Sequence, residues 1–238
     1  MRVVLVSDAH LAGPDDPEQG AFLRFLGGVE ADLLVLGGDL FQHWWHFAIP
    51  GGRTPFPAYA PVVDALRRRG IPLVVLPGNH DFHAPAYFAA PGVIPAGVTT
   101  PGVDGRVYCT WDGLRVLLAH GDEADTSPGY AVACALLRGR AFGALVDALG
   151  PERGWRFLGR LVGHGAVRPN PALCAAQVER AASLLREAPA DLVVFGHTHA
   201  PGIHTLGGGR YLNLGAFTGL HTYAVVEGGD VRLCTWEG

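Results

Sequence analysis

Apolar residues in this chain fall in short, dense runs: Val3 to Val6, Leu33 to Leu36, Leu73 to Leu76, Val116 to Ala119 and Leu192 to Phe195. Runs of this length without polar alternation predict strands buried on both faces. Between them the apolar spacing is helical, and the starts are marked. Asp16-Pro17 precedes Glu18 to Leu26, and Asn170-Pro171 precedes Ala172 to Glu187, in each case a capping side chain followed by proline at the first helical position. Alternating strand and helix predicts the α/β class, a layered sheet carrying helices. Beyond Phe195, short runs at Arg210 to Leu214, Tyr223 to Val226 and Val231 to Thr235, separated by glycine-rich turns, predict antiparallel strands.

Two stretches break the alternation: the aromatic Gln42 to Phe56 and the arginine-bearing Leu136 to Pro169. Both read as material added above the sheet. The expectation is one domain over residues 1–238 with a helical cap inserted at about 131–169.

Each of the five buried runs leads straight into polar residues: Ser7-Asp8-Ala9-His10, Gly37-Gly38-Asp39, Gly78-Asn79-His80-Asp81, His120-Gly121-Asp122 and Gly196-His197-Thr198-His199. Ligands of α/β sheets collect at the carboxyl ends of strands, so these groups are expected to share one rim. Carboxylates, imidazoles and one amide without a thiol suit divalent manganese, iron or zinc, and the number of histidines disfavours calcium. A carboxylate such as Asp39 can give one oxygen to each of two ions ~3.5–4 Å apart, which makes it the candidate bridge. Gly38, Gly78, Gly121 and Gly196 are expected to supply positive φ and room beside the ions. One D-x-H or G-H-x-H alone arises by chance; five groups in order, each directly after a strand, would need a coincidence at every strand.

Composition narrows the partners. The net charge of -4 offers no basic field for duplex nucleic acid. All eighteen basic residues are arginine. Cys109, Cys134, Cys174 and Cys234 form no C-x-x-C pair, so neither a disulfide framework nor a thiolate zinc site is indicated. The N-terminus lacks the sections of a signal peptide, and no stretch nears the roughly 20 apolar residues of a membrane span. A cytoplasmic setting is expected, with no obligate protein partner.

In order and in full, D-x-H, G-D, G-N-H-D, H-G and G-H-x-H resemble the calcineurin-like metallophosphoesterases, from Ser7 to Asn213. That resemblance implies two mixed sheets flanked by helices, and two divalent metal ions, with manganese expected first and iron or zinc as alternatives. It puts Asp8, His10, Asp39 and His199 on one ion and Asp39, Asn79, His120 and His197 on the other, with a bridging hydroxide as nucleophile. It gives His80 the task of stabilising the transition state or protonating the leaving oxygen. Asp81 and Asp122 either orient an imidazole or cap the next helix.

Within that family, Asp8-Ala9-His10-Leu11, Phe22-Leu23-Arg24-Phe25-Leu26, Gly38-Asp39-Leu40-Phe41 and His120-Gly121-Asp122 with Gly129-Tyr130 look like the UDP-2,3-diacylglucosamine hydrolases of lipid A synthesis. The resemblance implies cleavage of a pyrophosphate to a lipid monophosphate and UMP at the inner membrane, with Asp122 and Tyr130 touching substrate. His80 stands where those hydrolases usually carry arginine.

The partner implied is a phosphate-containing small molecule or a glycolipid nucleotide. The alternation of Arg138, Arg140, Arg153, Arg156, Arg160 and Arg168 with leucine and aromatic residues suits peripheral contact with an anionic membrane, or an ordinary solvated helix face. Trp44, Trp45 and Phe47 can wall an acyl or nucleobase pocket or belong to the core. His43, His46, His83, His164, His204 and His221 are taken as structural or surface residues. The alternatives are a soluble phosphodiesterase or phosphomonoesterase acting on nucleotides or phosphoproteins, and a metal-free interaction module.

Overall fold

A computed structural model of the chain describes residues 1–50, 52–162 and 169–238. The first half runs β1 (Arg2–Val6), α1 (Pro17–Gly28), β2 (Leu33–Leu36), β3 (His46–Ile49), β4 (Gly52–Pro55), α2 (Ala60–Arg69), β5 (Leu73–Val75), α3 (Ala84–Phe88) and β6 (Val98–Thr99). It continues with β7 (Val107–Trp111), β8 (Leu114–Leu118), α4 (Pro128–Leu137), α5 (Arg140–Val162), α6 (Pro171–Glu187), β9 (Leu192–Phe195), β10 (Gly202–Leu206), β11 (Gly209–Asn213), β12 (Thr222–Glu227) and β13 (Asp230–Thr235). The predicted caps are made: Asp16 accepts from the Glu18 amide, and Asn170 from the amides of Ala172 and Leu173.

The five buried runs divide between two mixed sheets. One is ordered β13-β12-β1-β2-β5-β6, the other β10-β11-β9-β8-β7. Alternation along each strand explains the layering, because successive side chains leave opposite faces. Val3, Leu5, Val35 and Val74 face Val116, Leu118, Leu192, Val194 and Leu212 in a core between the sheets. Val4, Val6, Leu34 and Leu36 point the other way, onto Phe22 and Phe25 of α1 and Val62 and Leu66 of α2. Leu117, Val193 and Phe195 pack on Ala181, Leu184 and Leu185 of α6. Every central strand is therefore apolar on both faces, as its composition requires.

The C-terminal strands depart from the antiparallel expectation in one place. β12 pairs antiparallel with both β1 and β13, and β10 with β11, but β11 lies parallel to β9, with Tyr211 opposite Val193. The aromatic stretch 42–56 forms the β3–β4 hairpin, and Trp44, Phe47 and Phe56 join the core instead of lying above the sheet. Trp44 stacks on Phe41 and Phe88.

Within 131–169 lie most of α4 and all of α5; residues 163–168, with His164 and Arg168, are outside the described residues. α5 breaks at Gly150, at φ 71 and ψ 177, directly before Pro151. Trp155 pins its second half, packing on His43, Phe56 and Tyr59. Among the described residues no helix is long and apolar enough to cross a membrane.

Candidate metal centre

The polar residues that follow β1, β2, β5, β8 and β9 meet where the carboxyl ends of the two sheets adjoin. Backbone ladders continue into the loops: the Asp8 amide donates to the Gly38 carbonyl and the His10 amide to that of Asp39, each at 3.0 Å. The result is three overlapping groups, Asp8/His10/His199, His10/Asp39/His80 and Asp39/His120/His197, whose ligand atoms lie within 4.8 Å of one another. One Asp39 oxygen, Oδ2, is 3.9 Å from His10 Nε2 and 3.4 Å from His120 Nε2, between the outer two groups. The His10 and His199 Nε2 atoms face each other at 3.2 Å, and His199 Nε2 is 3.2 Å from Asp8 Oδ1.

The residues fit divalent cations. Asn79 Oδ1, His120 Nε2 and His197 Nε2 are buried here without a hydrogen-bond partner, a costly arrangement unless an ion takes their lone pairs. His120 Nδ1 donates to the Gly37 carbonyl at 2.9 Å, which leaves Nε2 bare and turned inward. Burial works against charge on Asp39, but the imidazoles of His120 and His80 outweigh it and hold the carboxyl well below the usual range. Asp8 is likewise lowered, His199 overcoming the burial. Burial pushes His10 down to about 4, against the pull of Asp39 and Asp8. It lowers His197 too, with His120 adding to the effect. His120 itself is raised well above its ordinary value, Asp39 prevailing over burial. Two ionised carboxylates draw a proton onto His120, and the same buried negative field is an acceptor for a divalent cation.

The strain in the site is not where the sequence puts it. Gly38 and Gly121 do adopt positive φ, but Gly78 and Gly196 do not; five proposed ligands do instead, Asp8, His10, Asp39, His197 and His199, at φ between 46° and 68°. Gly196 is needed for closeness, since a Cβ there would sit 2.3 Å from Asp8 Oδ2.

Asp81 neither orients an imidazole nor caps a helix. Its buried carboxylate accepts the amides of Gly78, Asp39, Leu40 and Phe41, tying the second and third loops together. His80 donates from Nδ1 to the Gln42 carbonyl at 2.9 Å, and its amide donates to Asp39 Oδ1 at 2.8 Å. Asp122 accepts from Tyr130 Oη at 2.7 Å and lies 3.7 Å from Arg138, in a cavity that His120 also lines. Sequence reasoning missed Gln177, fully buried on α6 and bonded to both the His120 and the His197 loops. Its one signal is a polar residue in the helix's buried stripe with Ala181, Leu184 and Leu185.

A two-sheet sandwich bearing this constellation matches a known class: residues 1–201 fit the model of the calcineurin-like phosphoesterases, and the chain belongs to that family of metal-dependent phosphoesterases. It is 30% identical over 213 residues to the UDP-2,3-diacylglucosamine hydrolase of Aeromonas hydrophila, covering 86% of this chain and 84% of that protein. To the enzyme of the same name from Sodalis glossinidius it is 28% identical over 220 residues, 88% and 87% of the two chains. The solved structure of an archaeal phosphodiesterase overlays with a TM-score of 0.52 at 11% identity, covering 99% of this chain and 100% of that one, which is a likeness of fold.

Proposed function

We propose that this phosphoesterase hydrolyses the pyrophosphate of UDP-2,3-diacylglucosamine, giving the lipid monophosphate and UMP, with α4 and α5 acting as a cap over the site. The observation that carries the reading is an apolar cavity of about 150 Å³ opening beside Asn79 and His80, walled by Trp44, Trp45, Phe82, Leu137, Phe142 and Leu158. Dry cavities of this size accept a group as large as benzene, so the cavity suits part of an acyl chain. A site for a water-soluble phosphate has no need of such a wall.

The surface agrees. None of the ten residues of α4 is buried, although all but Tyr130 are apolar or small, and Val132 and Leu136 are 59% and 67% exposed. Arg138 and Arg140 follow at once. An apolar ridge edged by arginine suits peripheral contact with an anionic membrane, where such a substrate resides.

In this reading Asp8, His10, Asp39 and His199 hold one divalent ion, and Asp39, Asn79, His120 and His197 the other, with manganese the ion expected. When bound, the ions supply positive charge to the phosphoryl oxygens and bring the pKa of water toward neutrality. The chain's own residues do the rest. The Gln42 carbonyl can only accept, so His80 carries a proton on Nδ1; in its imidazolium form Nε2 holds a second proton, which it can pass to the leaving oxygen, and the ring returns to the neutral Nδ1–H tautomer. Asp81 keeps the Asp39 and Asn79 loops in register, and Tyr130 and Asp122 flank the entry.

The test is manganese-supported hydrolysis of UDP-2,3-diacylglucosamine beside bis-p-nitrophenyl phosphate, with Asp39→Ala as control. Lipid cleavage lost in Asp39→Ala is expected. Turnover of the soluble diester alone would replace the lipid reading with a soluble phosphodiesterase.

A further inference from the structure

Gln177 touches no candidate ligand, yet its amide is fully engaged. Nε2 donates to the carbonyls of Gly121 and Gly196, each at 3.1 Å. Oε1 accepts from Thr198 Oγ1 at 2.8 Å, Tyr211 Oη at 2.9 Å and Asn213 Nδ2 at 3.0 Å. Chemistry fixes the orientation, because two carbonyls can only accept and therefore face the NH₂ end. Gly121 follows His120 and Gly196 precedes His197, so one side chain grips both loops at the residues next to those histidines, through the Gly121–Asp122 and Gly196–His197 peptides. The loops share one backbone bond of their own, from the Gly196 amide to the His120 carbonyl at 2.9 Å. That bond closes the β8–β9 ladder, which also includes the Ala119 amide on the Val194 carbonyl, and the Gln177 amide joins the two loops one step further out, from the α6 side.

The fit is tight and one end of it is strained. A Cβ on Gly121 would come within 2.6 Å of Gln177 Nε2. His197 sits at φ 68, a left-handed conformation that its surroundings must enforce. Its ring lies 5.2 Å from that of His120. Among the described residues no hydrogen bond runs from α6 to Asp8 or His10, which follow β1 of the first sheet.

We propose that Gln177 is a positioning residue that sets the separation of His120 and His197, and with it the affinity of the ion they hold with Asp39. The proposal rests on the two-ion reading above. Removing the two N–H donors should loosen one ion and spare the other.

The experiment titrates metal-free protein with Mn²⁺ by calorimetry, for wild type, Gln177→Glu and Gln177→Met, with circular dichroism to verify folding. Gln177→Glu keeps size and acceptor but lacks both donors; Gln177→Met lacks donor and acceptor. Wild type should bind two ions, and in each variant one should weaken about tenfold to a hundredfold while the other is unchanged. A His10→Ala background, lacking a ligand of the spared group, isolates the affected ion, and Gln177→Glu should weaken it there by the same factor. Unchanged affinities with only a lower melting temperature would overturn the proposal, leaving Gln177 as ordinary core; so would equal weakening of both ions. Fewer than two ions in wild type would instead overturn the two-ion reading and this inference with it. Should neither Gln177 variant fold, Thr198→Val, which loosens the amide from its other end, carries the test: a several-fold loss at one ion supports the proposal, and wild-type binding overturns it.

Discussion

Gly78→Ala probes the site through steric geometry alone. A Cβ at Gly78 would lie 2.0 Å from Asp39 Oδ1 and 2.2 Å from the Asp39 backbone nitrogen, where real Cβ contacts essentially never fall below 3.0 Å. Either Asp39 or the Gly78 loop must move by about 1 Å. Neither moves alone, because Asp81 Oδ1 accepts from the Gly78 amide at 2.9 Å and from the Asp39 amide at 3.1 Å. Overpacking of this kind costs about 1–3 kcal/mol of stability. Misplacing a reacting constellation by about 1 Å costs on the order of a hundredfold in rate. The assay is kcat/KM for bis-p-nitrophenyl phosphate with saturating manganese, with thermal melts and bound manganese measured on the same samples. Gly27→Ala is the control: nothing lies within 4 Å of its Cβ, and in the exposed turn of α1 alanine should leave activity unchanged and hold or raise the melting temperature. If Gly78→Ala kept kcat/KM within about threefold of wild type, the packing of Asp39 against Gly78 would not matter to the reaction.

Stripping divalent metal with a chelator should abolish hydrolysis and lower the melting temperature, and manganese should restore both; activity that survives chelation refutes the metal centre. His80→Ala should cut kcat by about 10²–10⁴-fold without changing the manganese bound, whereas loss of an ion would make His80 a ligand with His10 and Asp39. Replacing Val132 and Leu136 together by glutamate should weaken co-sedimentation with anionic vesicles and leave turnover of the soluble diester intact; unchanged sedimentation would remove α4 as the contact. Burial, then the Arg53 guanidinium, hold His46 at about 4 against an ordinary 6.5. The unfolded chain thus takes up that proton first, so the stability His46 contributes is full above 6.5 and fades as pH falls toward 4. His46→Gln should therefore lose less melting temperature than wild type between about pH 7 and about pH 5, and identical losses would refute the assignment.

Local chemistry made much of the molecule legible in the sequence. Val3 to Val6 and Leu192 to Phe195 are apolar at every position, so they are strands covered on both faces wherever they lie. Asp16-Pro17 and Asn170-Pro171 start helices through bonds reaching only two or three residues. The polar groups closing the five runs were readable for the same reason: each sits at a strand end, and strand ends gather.

Long-range pairing decided the rest. An apolar run says that it is buried but not against what, so the split of β1, β2 and β5 from β8 and β9 into two sheets, and the parallel seat of β11 beside β9, depend on partners far along the chain. The positive φ of Asp8, His10, Asp39, His197 and His199 is imposed by loops locked to neighbouring loops, against the preference of each residue alone. α4 has a core helix's composition and lies exposed because nothing packs over it among the described residues. Gln177 looks like any polar residue on an amphipathic helix until the fold brings five hydrogen-bond partners around its amide, a meaning that exists only in three dimensions.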